Sequence, residues 1–273
     1  MVLTVAMVSI WGIINYLSIG WKHGAFSFFG NANPFAGYVN LIILVLFGML
    51  MASTFLWERI TLGVFTVLSI MAWFLAFSRT AWISLILTMI LIFFLTKVKK
   101  RVAILLAMLF VVIAITFLSS NITNHFKTRV QSVHTMEMRI GAYSTGINMV
   151  KDDLIFGIGI GNYRLIAKKF PLHIGFKQND LHNLYLQIFV EAGLMGLCAF
   201  VFWIVCIIKY LMNALKSLEG SRNYGLFVGL MGGVIVYLIN NLANVLTVHG
   251  IHLQWGIILG LAVVLTQFRE SEG

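Results

Sequence analysis

A chain of 273 residues in which 60% are hydrophobic and 10% are charged is not an ordinary soluble domain, since such domains carry about 25% charged residues. Its mean hydropathy of +0.95 and its recurring runs of about twenty apolar residues predict an all-α membrane protein, because each run can cross about 30 Å of hydrocarbon. The net charge of +10 fits basic cytoplasmic loops, and without a basic stripe carrying interleaved aromatic residues it does not indicate nucleic-acid binding.

We predict about eight transmembrane helices in a single polytopic membrane domain that covers residues 1–273. The candidate spans are Val2–Leu17, Tyr38–Thr54, Ile60–Phe77, Trp82–Thr96, Val102–Leu118, Asn183–Ile208, Gly225–Leu246 and Ile251–Gln267. The densest short basic cluster lies at residues 97–101, so this loop is predicted to be cytoplasmic. Counting outward places the loop at 209–222 and both termini in the cytoplasm, and leaves one long extracytoplasmic loop at about 119–181.

The long loop is predicted to contain short amphipathic helices. Apolar residues recur every three or four positions in residues 137–151 and predict such a helix, lying on the membrane or on the helix bundle. Its apolar face consists of Ile140, Tyr143, Ile147 and Val150. Arg139 falls in the first turn, where the helix dipole disfavours a cation, so we expect a functional reason for it unless it simply snorkels to the membrane surface.

Glycines predict local structure in residues 157–163 and at Gly193 and Gly196. Residues 157–163 read GIGIGNY, but no βαβ unit surrounds them, so a dinucleotide-binding site is rejected. We predict a tight turn in which the glycines adopt positive φ, with an anion contact by its amides as a weaker hypothesis. Gly193 and Gly196 predict close packing of their helix against a neighbouring helix.

Polar residues enter the span that follows the loop. Asn183, Gln187 and Glu191 are spaced by four and share one face of a continuous helix. Glu191 would lie about 13 Å along the helix axis from His182. An ionisable residue at that depth is costly, which makes Glu191 a candidate functional residue; a buried ion pair or a protonated acid is the alternative.

Other polar residues are expected to gather with His182 at the outer level of the bundle, forming a polar vestibule. They are Arg79, Asn240, Asn241, Asn244, His249 and His252. Zinc binding by the three histidines is a weaker hypothesis, because no cysteine or carboxylate pattern accompanies them.

Four segments, in their order and spacing, resemble the O-antigen ligase and O-antigen polymerase superfamily. They are GNANPFAGYVN (30–40), FSRTAW (77–82), Arg139 followed by INMVKDDLIFGIGIGNY (147–163), and HNLYLQIFVEAGLMG (182–196). The last is the strongest, with His-Asn, nine further residues and then a glycine. Leu194 follows this glycine where ligases tend to have a small or polar residue, which favours a polymerase. Family members carry more spans, so we expect N-terminal spans to be missing here.

The resemblance implies a metal-independent, inverting glycosyltransferase of the bacterial cytoplasmic membrane that needs no cofactor. It would move a polyprenyl-diphosphate-linked oligosaccharide to a glycan or lipid-glycan acceptor on the outer side of that membrane. The transfer would polymerise or ligate a surface polysaccharide, such as an O-antigen, a capsule or a teichuronic-type polymer. Arg79 and Arg139 would bind the diphosphate, since guanidinium matches phosphate oxygens, and His182 would act as the base or orient the acceptor. The candidate substrate-binding residues are Asn162, Arg164, Asn183, Gln187 and Glu191.

Two other functions stay open. A small-solute or anion transporter would require polar residues along a path to the midplane of the bilayer, together with discontinuous helices. An inactive or accessory fragment is the second alternative, because the chain is short at its N-terminus relative to the family.

Overall fold

The fold is all-helical over the residues that the computed structural model describes, as the composition predicts. These residues are 2–19, 24–99, 103–105, 107, 134–167 and 180–270. Its helices are α1 (Val2–Ile19), a 3-10 turn (Ser27–Phe29), α2 (Ala32–Ala52), α3 (Leu56–Leu75), α4 (Arg79–Leu95), α5 (His134–Val150), α6 (Tyr163–Ile166), α7 (Leu184–Ser217), α8 (Tyr224–Asn240) and α9 (Ile251–Glu270).

Seven of the eight predicted spans coincide with helices, and most of the predicted span Val102–Leu118 lies outside the described residues. Within the described part of the chain, α2, α3 and α7 are long and apolar enough to cross a membrane, judged by length and composition. The helices α1, α4, α8 and α9 contain shorter apolar segments. A helical membrane protein is therefore confirmed, whereas the number of eight spans stays a prediction.

The chain divides into two compact units. The first unit contains Met1–Arg129, Leu211–Asn240 and Leu246–Gly273. The second unit contains Val130–Tyr210 and Asn241–Val245. That the whole chain acts as one polytopic domain stays a prediction, and the two units are described separately below.

Helices α2 and α8 pack at the centre of the first unit through small residues. Gly48 of α2 faces Gly229 of α8 so closely that a Cβ added at Gly229 would lie 2.5 Å from the Cα of Gly48. Small residues permit this backbone approach, which is the main source of van der Waals contact between helices in a membrane. Most of α2 is buried as a result.

We expect Gly229→Ala to lower the free energy of unfolding by about 1–3 kcal/mol, because the atoms nearest to the new methyl group belong to the backbone of α2 and have no rotamer to change. The matched control is Gly256→Ala on α9, where an added Cβ has nothing within 4 Å. Thermal unfolding of both variants in detergent measures the difference. Equal melting temperatures would show that the contact between α2 and α8 tolerates a methyl group.

Two of the segments that resemble the superfamily contact each other inside the first unit. The hydroxyl of Ser78 donates to Oδ1 of Asn33 at 2.9 Å, and Nδ2 of Asn40 donates to Oγ of Ser84 at 3.0 Å. Nδ2 of Asn240 donates to the same Ser84 hydroxyl at 3.2 Å. Asn40, Ser84 and Asn240 are fully buried. These hydrogen bonds fix the start of α4 against α2 and α8.

A contact between two loops agrees with the predicted topology. Nζ of Lys97 forms an ion pair with the carboxylate of Glu219, and the backbone amide of Lys97 donates to the hydroxyl of Tyr224 at 3.3 Å. Lys97 and Glu219 belong to the two loops that the positive-inside rule assigns to the cytoplasm. The structure therefore brings both loops to one end of the first unit. Which side of the membrane they face stays a prediction.

A helix is present where residues 137–151 predict one: α5, which begins three residues earlier than expected. Its amphipathic character stays a prediction. Arg139 consequently lies in the second turn of α5 and not in the first. The unfavourable effect of the helix dipole on its charge is smaller there, because that effect falls off within the first turn. The dipole therefore gives no reason to expect a special role for Arg139.

The predicted apolar face of α5 is only partly buried. Val150 is fully buried, whereas Ile140 and Ile147 are exposed. Ala142 is also fully buried. Gly146 lies on the buried side, and a Cβ added there would be 2.9 Å from a methyl group of Leu181. That the exposed isoleucines lie on the membrane stays a prediction.

Candidate functional site

Helix α7 is interrupted at Gly193. The backbone there has φ 65° and ψ −166°, a conformation that glycine adopts and that other residues adopt only with strain. The prediction of a continuous helix through residues 183–208 is therefore wrong at this position. The prediction that Gly193 packs against a neighbouring helix is also wrong, because a Cβ added there would collide with the carbonyl oxygen of Ile155 in the preceding loop.

The loop segment 154–159 is inserted into this interruption through four backbone hydrogen bonds. They run from Ile158 N to Val190 O (3.0 Å), from Gly159 N to Glu191 O (2.9 Å), from Leu194 N to Leu154 O (2.8 Å) and from Met195 N to Ile155 O (3.3 Å). In a regular helix the carbonyls of residues 190 and 191 accept from the amides of residues 194 and 195. The loop thus supplies partners for the groups that the interruption separates, as burial in an apolar environment requires.

The predicted tight turn in residues 157–163 is confirmed. Gly157, Gly159 and Gly161 have φ values of 74°, 92° and 78°. Gly157 is also required for space, because a Cβ there would lie 2.5 Å from the backbone nitrogen of Gly193. The two glycines therefore lie directly against each other, one in the turn and one in the interrupted helix.

The carboxylate of Glu191 binds the same turn. It accepts hydrogen bonds from the amides of Gly161 at 3.0 Å and Tyr163 at 3.3 Å, and from Nε2 of Gln187 at 3.3 Å. The contact with Gln187 confirms the four-residue spacing on one helix face. The turn does contact an anionic group, and that group is a side chain of the same protein. Glu191 is therefore held by amide donors, and its functional role stays a prediction.

Three asparagines accept hydrogen bonds from backbone amides at the start of α7. Oδ1 of Asn183 accepts from the amide of Leu186 at 3.0 Å, which is the bond of a helix N-cap. The amide of Leu184 donates to the carbonyls of Asn241 at 2.9 Å and Asn244 at 3.1 Å, and both of these residues are buried. These contacts fix the direction in which α7 leaves the residues before it.

His182 directly precedes α7 and has a φ of 48°, which is uncommon for a residue other than glycine. Its backbone amide donates to Oδ1 of Asp180 at 2.8 Å, and its Nδ1 lies 3.2 Å from the same oxygen. Burial lowers the pKa of His182; the Asp180 carboxylate partly offsets this effect, and the Arg139 guanidinium adds to it. At pH 7 the imidazole is therefore neutral, the form that can accept a proton.

The charge of Arg139 acts on His182 within the second unit, and their shared assignment to one site stays a prediction. Asn162 and Arg164 flank Tyr163, whose backbone amide donates to the carboxylate of Glu191. Nδ2 of Asn162 donates to the carbonyl of Ile158 at 2.8 Å and stabilises the turn, whereas Arg164 is exposed on α6.

Arg79 lies in the first unit, where it begins α4 and is exposed. Its assignment to the same site as His182 stays a prediction.

His249 packs edge-on against Phe29, with 5.6 Å between the ring centroids. In the described part of the chain, no three His, Cys, Asp or Glu side chains are grouped as a metal site would require.

Sequence reasoning missed two residues next to His182. Asp180 could have been found, because an aspartate two residues before another residue commonly accepts a hydrogen bond from that residue's amide. Tyr163 carries no such signal. It is fully buried, and burial, reinforced by the charge of Asp180, raises its pKa to about 12. Tyr163 therefore stays neutral beside Asp180.

Comparison with known proteins gives one result. The family model described as O-antigen ligase matches residues 64–201, about half of the chain. No curated protein matches the chain. The matched residues begin within α3, include α5 and the glycine turn, and end beyond the interruption of α7. Arg79, Arg139 and His182 all fall inside this stretch. On this match, the chain belongs to the O-antigen ligase family.

Proposed function

We propose that the protein is a membrane glycosyltransferase that moves a polyprenyl-diphosphate-linked oligosaccharide to a glycan acceptor on the outer side of the bacterial cytoplasmic membrane. Membership of the O-antigen ligase family supports glycan transfer in surface polysaccharide assembly. The observation that carries the proposal is the setting of His182, whose Nδ1 lies 3.2 Å from Oδ1 of Asp180 and whose imidazole is influenced by the guanidinium charge of Arg139. The imidazole of His182 can accept a proton, and the guanidinium of Arg139 can bind a phosphate.

The proposed reaction is a single displacement that inverts the anomeric centre. The acceptor hydroxyl attacks the anomeric carbon of the donor, and the bond from that carbon to the diphosphate oxygen breaks. His182 takes the proton of the hydroxyl, and polyprenyl diphosphate leaves with the electron pair of the broken bond. Arg139 stabilises the negative charge that develops on the leaving group, and Arg79 is proposed as the second cation. This chemistry uses neither a metal ion nor a cofactor.

The other candidate residues divide into two groups under this proposal. Arg164 is exposed on α6 and is available to contact the substrate. Four residues already bind the turn or the start of α7: Asn162, Asn183, Gln187 and Glu191. Their contribution to substrate binding would come chiefly through the shape that these hydrogen bonds impose on the site.

A transporter is the second candidate, because an interrupted helix near an acidic residue is typical of that class. The interruption at Gly193, two residues after Glu191, is the observation that favours it. In this protein, however, loop backbone is inserted into the interruption, whereas transporters use the separated groups to bind a substrate or an ion. Glycosyl transfer is therefore the better supported function.

The experiment that tests the proposal uses the full-length protein in liposomes. The probe is undecaprenyl-diphosphate-linked glycan extracted from the producing strain, with surface glycan from the same strain as acceptor. We expect release of undecaprenyl diphosphate together with a larger glycan product. Uptake of small anions by the same liposomes, without any transfer, would identify a transporter instead. A deletion strain that keeps normal surface polysaccharide would also contradict the proposal.

We expect Arg139→Lys to lower the rate of transfer at least about tenfold, because lysine keeps the charge but cannot form two parallel hydrogen bonds to a phosphate. The KM for the lipid-linked donor should rise as well. Lys151→Arg, the reverse exchange at an exposed position just after α5, is the matched control. Full activity of Arg139→Lys would show that Arg139 acts only as a point charge or not at all.

A further inference from the structure

We propose that Asp180 is a positioning residue for His182, whose carboxylate fixes the orientation of the imidazole and stabilises the imidazolium formed when the acceptor hydroxyl is deprotonated. The inference rests on the proposed function. Asp180 was not among the residues that the sequence singled out, and its role would be exerted through His182 without contact with the substrate.

This role is supported by two contacts that Oδ1 of Asp180 makes with His182. Oδ1 of Asp180 accepts from the backbone amide of His182 at 2.8 Å, and it lies 3.2 Å from Nδ1 of the same residue. The backbone contact holds the carboxylate in place, so the acceptor for the ring is already positioned. The nearby carboxylate favours the tautomer that carries its proton on Nδ1, which leaves Nε2 as the basic nitrogen.

The surroundings of the pair explain why a charged partner matters. Both side chains are about one-third exposed, at 34% for His182 and 29% for Asp180. Among the described residues, the charged groups that act on His182 are Asp180 and, from α5, Arg139. Arg139 opposes protonation of the imidazole, and Asp180 favours it. Removal of the Asp180 charge would leave the effect of Arg139 on the imidazole without this opposing effect.

The buried residue Tyr163 also responds to the charge of Asp180. The charge of Asp180 acts on its phenol, whose oxygen is buried and has no hydrogen-bond partner among the described residues. Because this phenol stays neutral at physiological pH, it adds no second negative charge near His182. The pair of Asp180 and His182 is therefore the proton-accepting element of the second unit.

Asp180→Asn separates the positioning role from a purely structural one. Asparagine keeps an oxygen that can accept from the amide of His182, so the turn is retained, but the negative charge is lost. The matched control is Asp153→Asn, because Oδ1 of Asp153 makes the same kind of bond to the amide of Phe156 at 3.0 Å, with no histidine beside it. Asp180→Glu keeps the charge and displaces it by one methylene group.

The assay uses the full-length protein in liposomes with undecaprenyl-diphosphate-linked glycan as the probe. We expect Asp180→Asn to lower kcat by about tenfold to a hundredfold, with little change in the donor KM, as part of the 10²–10⁴-fold effect of a general base. The acid limb of kcat/KM should move to lower pH, because Asp180 raises the pKa of His182. In a protein that already carries His182→Ala, Asp180→Asn should have no further effect.

Several outcomes would overturn the inference. One is a transfer rate of Asp180→Asn within twofold of wild type. Another is a pH profile of kcat/KM whose acid limb does not move in this variant. The third is an equal loss of rate on Asp180→Asn with and without the His182→Ala substitution. If Asp180→Asn lowers the melting temperature, Asp180→Glu decides: partial recovery of the rate supports the role of the charge, and no recovery refutes it. Lack of transfer by the wild-type protein would instead refute the proposed function, which is a distinct result.

Discussion

Replacing His182 with alanine is expected to lower glycan transfer by about a hundredfold to ten-thousandfold, the usual contribution of a general base. The acceptor hydroxyl would then have to lose its proton to water. The proposed mechanism assigns proton acceptance to His182 and phosphate binding to Arg139, whose charge acts on the imidazole. The KM for the donor should change little, since Arg139 is unaffected.

The measurement is the rate of transfer from undecaprenyl-diphosphate-linked glycan by protein in liposomes. His252→Ala is the matched control, because His252 is an exposed histidine on α9. Comparable yield and elution of both variants in size-exclusion chromatography would show normal insertion. Wild-type activity of His182→Ala would remove His182 from the mechanism, and Arg139 would then require a different partner.

Gly193→Ala is expected to lower the free energy of unfolding of the second unit by at least about 3 kcal/mol and to abolish transfer. Two effects add at this position. The backbone conformation is strained for alanine, and the new methyl group would collide with the backbone of Ile155 and Phe156. Relief of the collision requires the loop to leave α7, at the cost of the four hydrogen bonds between them.

Gly161→Ala separates the two effects. Gly161 also has a positive φ, at 78°, but a Cβ added there meets nothing within 4 Å. It should therefore show only the cost of backbone strain, of order 1–3 kcal/mol. Thermal unfolding and transfer rates of both variants make the comparison. If the two melting temperatures were equal, the close contact between the turn and α7 would have no energetic importance.

The sequence was sufficient to predict those features that depend on local composition. Apolar runs located most helices, and the glycines in residues 157–163 predicted a turn with positive φ. The interruption of α7 was not predictable in this way. A glycine in an apolar run usually indicates helix packing, and what opens the helix at Gly193 is a segment more than thirty residues away. Only the tertiary structure shows that the two segments meet.

For the candidate site, too, the sequence reveals local signals, whereas contacts between distant segments show only in the tertiary structure. His182 and Arg139 were singled out because their residue types and positions resemble the family, and their shared role stays a prediction. Asp180 could have been found from its position two residues before His182, but its contact with the imidazole shows only in the structure. Ile140 and Ile147 of the predicted apolar face of α5 are exposed, whereas Val150 of the same face is buried.

The insertion of the loop into α7 also implies an order of assembly. The segment 154–159 precedes α7 in the chain, and under the predicted topology it is translocated before α7 enters the bilayer. Until the two segments meet, the carbonyls of residues 190 and 191 have only the amides of their own helix as partners, and lipid offers none. Helix α7 is therefore expected to enter the membrane as a regular helix and to open afterwards. Docking of the turn is then a late step in folding, local to the second unit, and the protein acquires its site only when this step is complete.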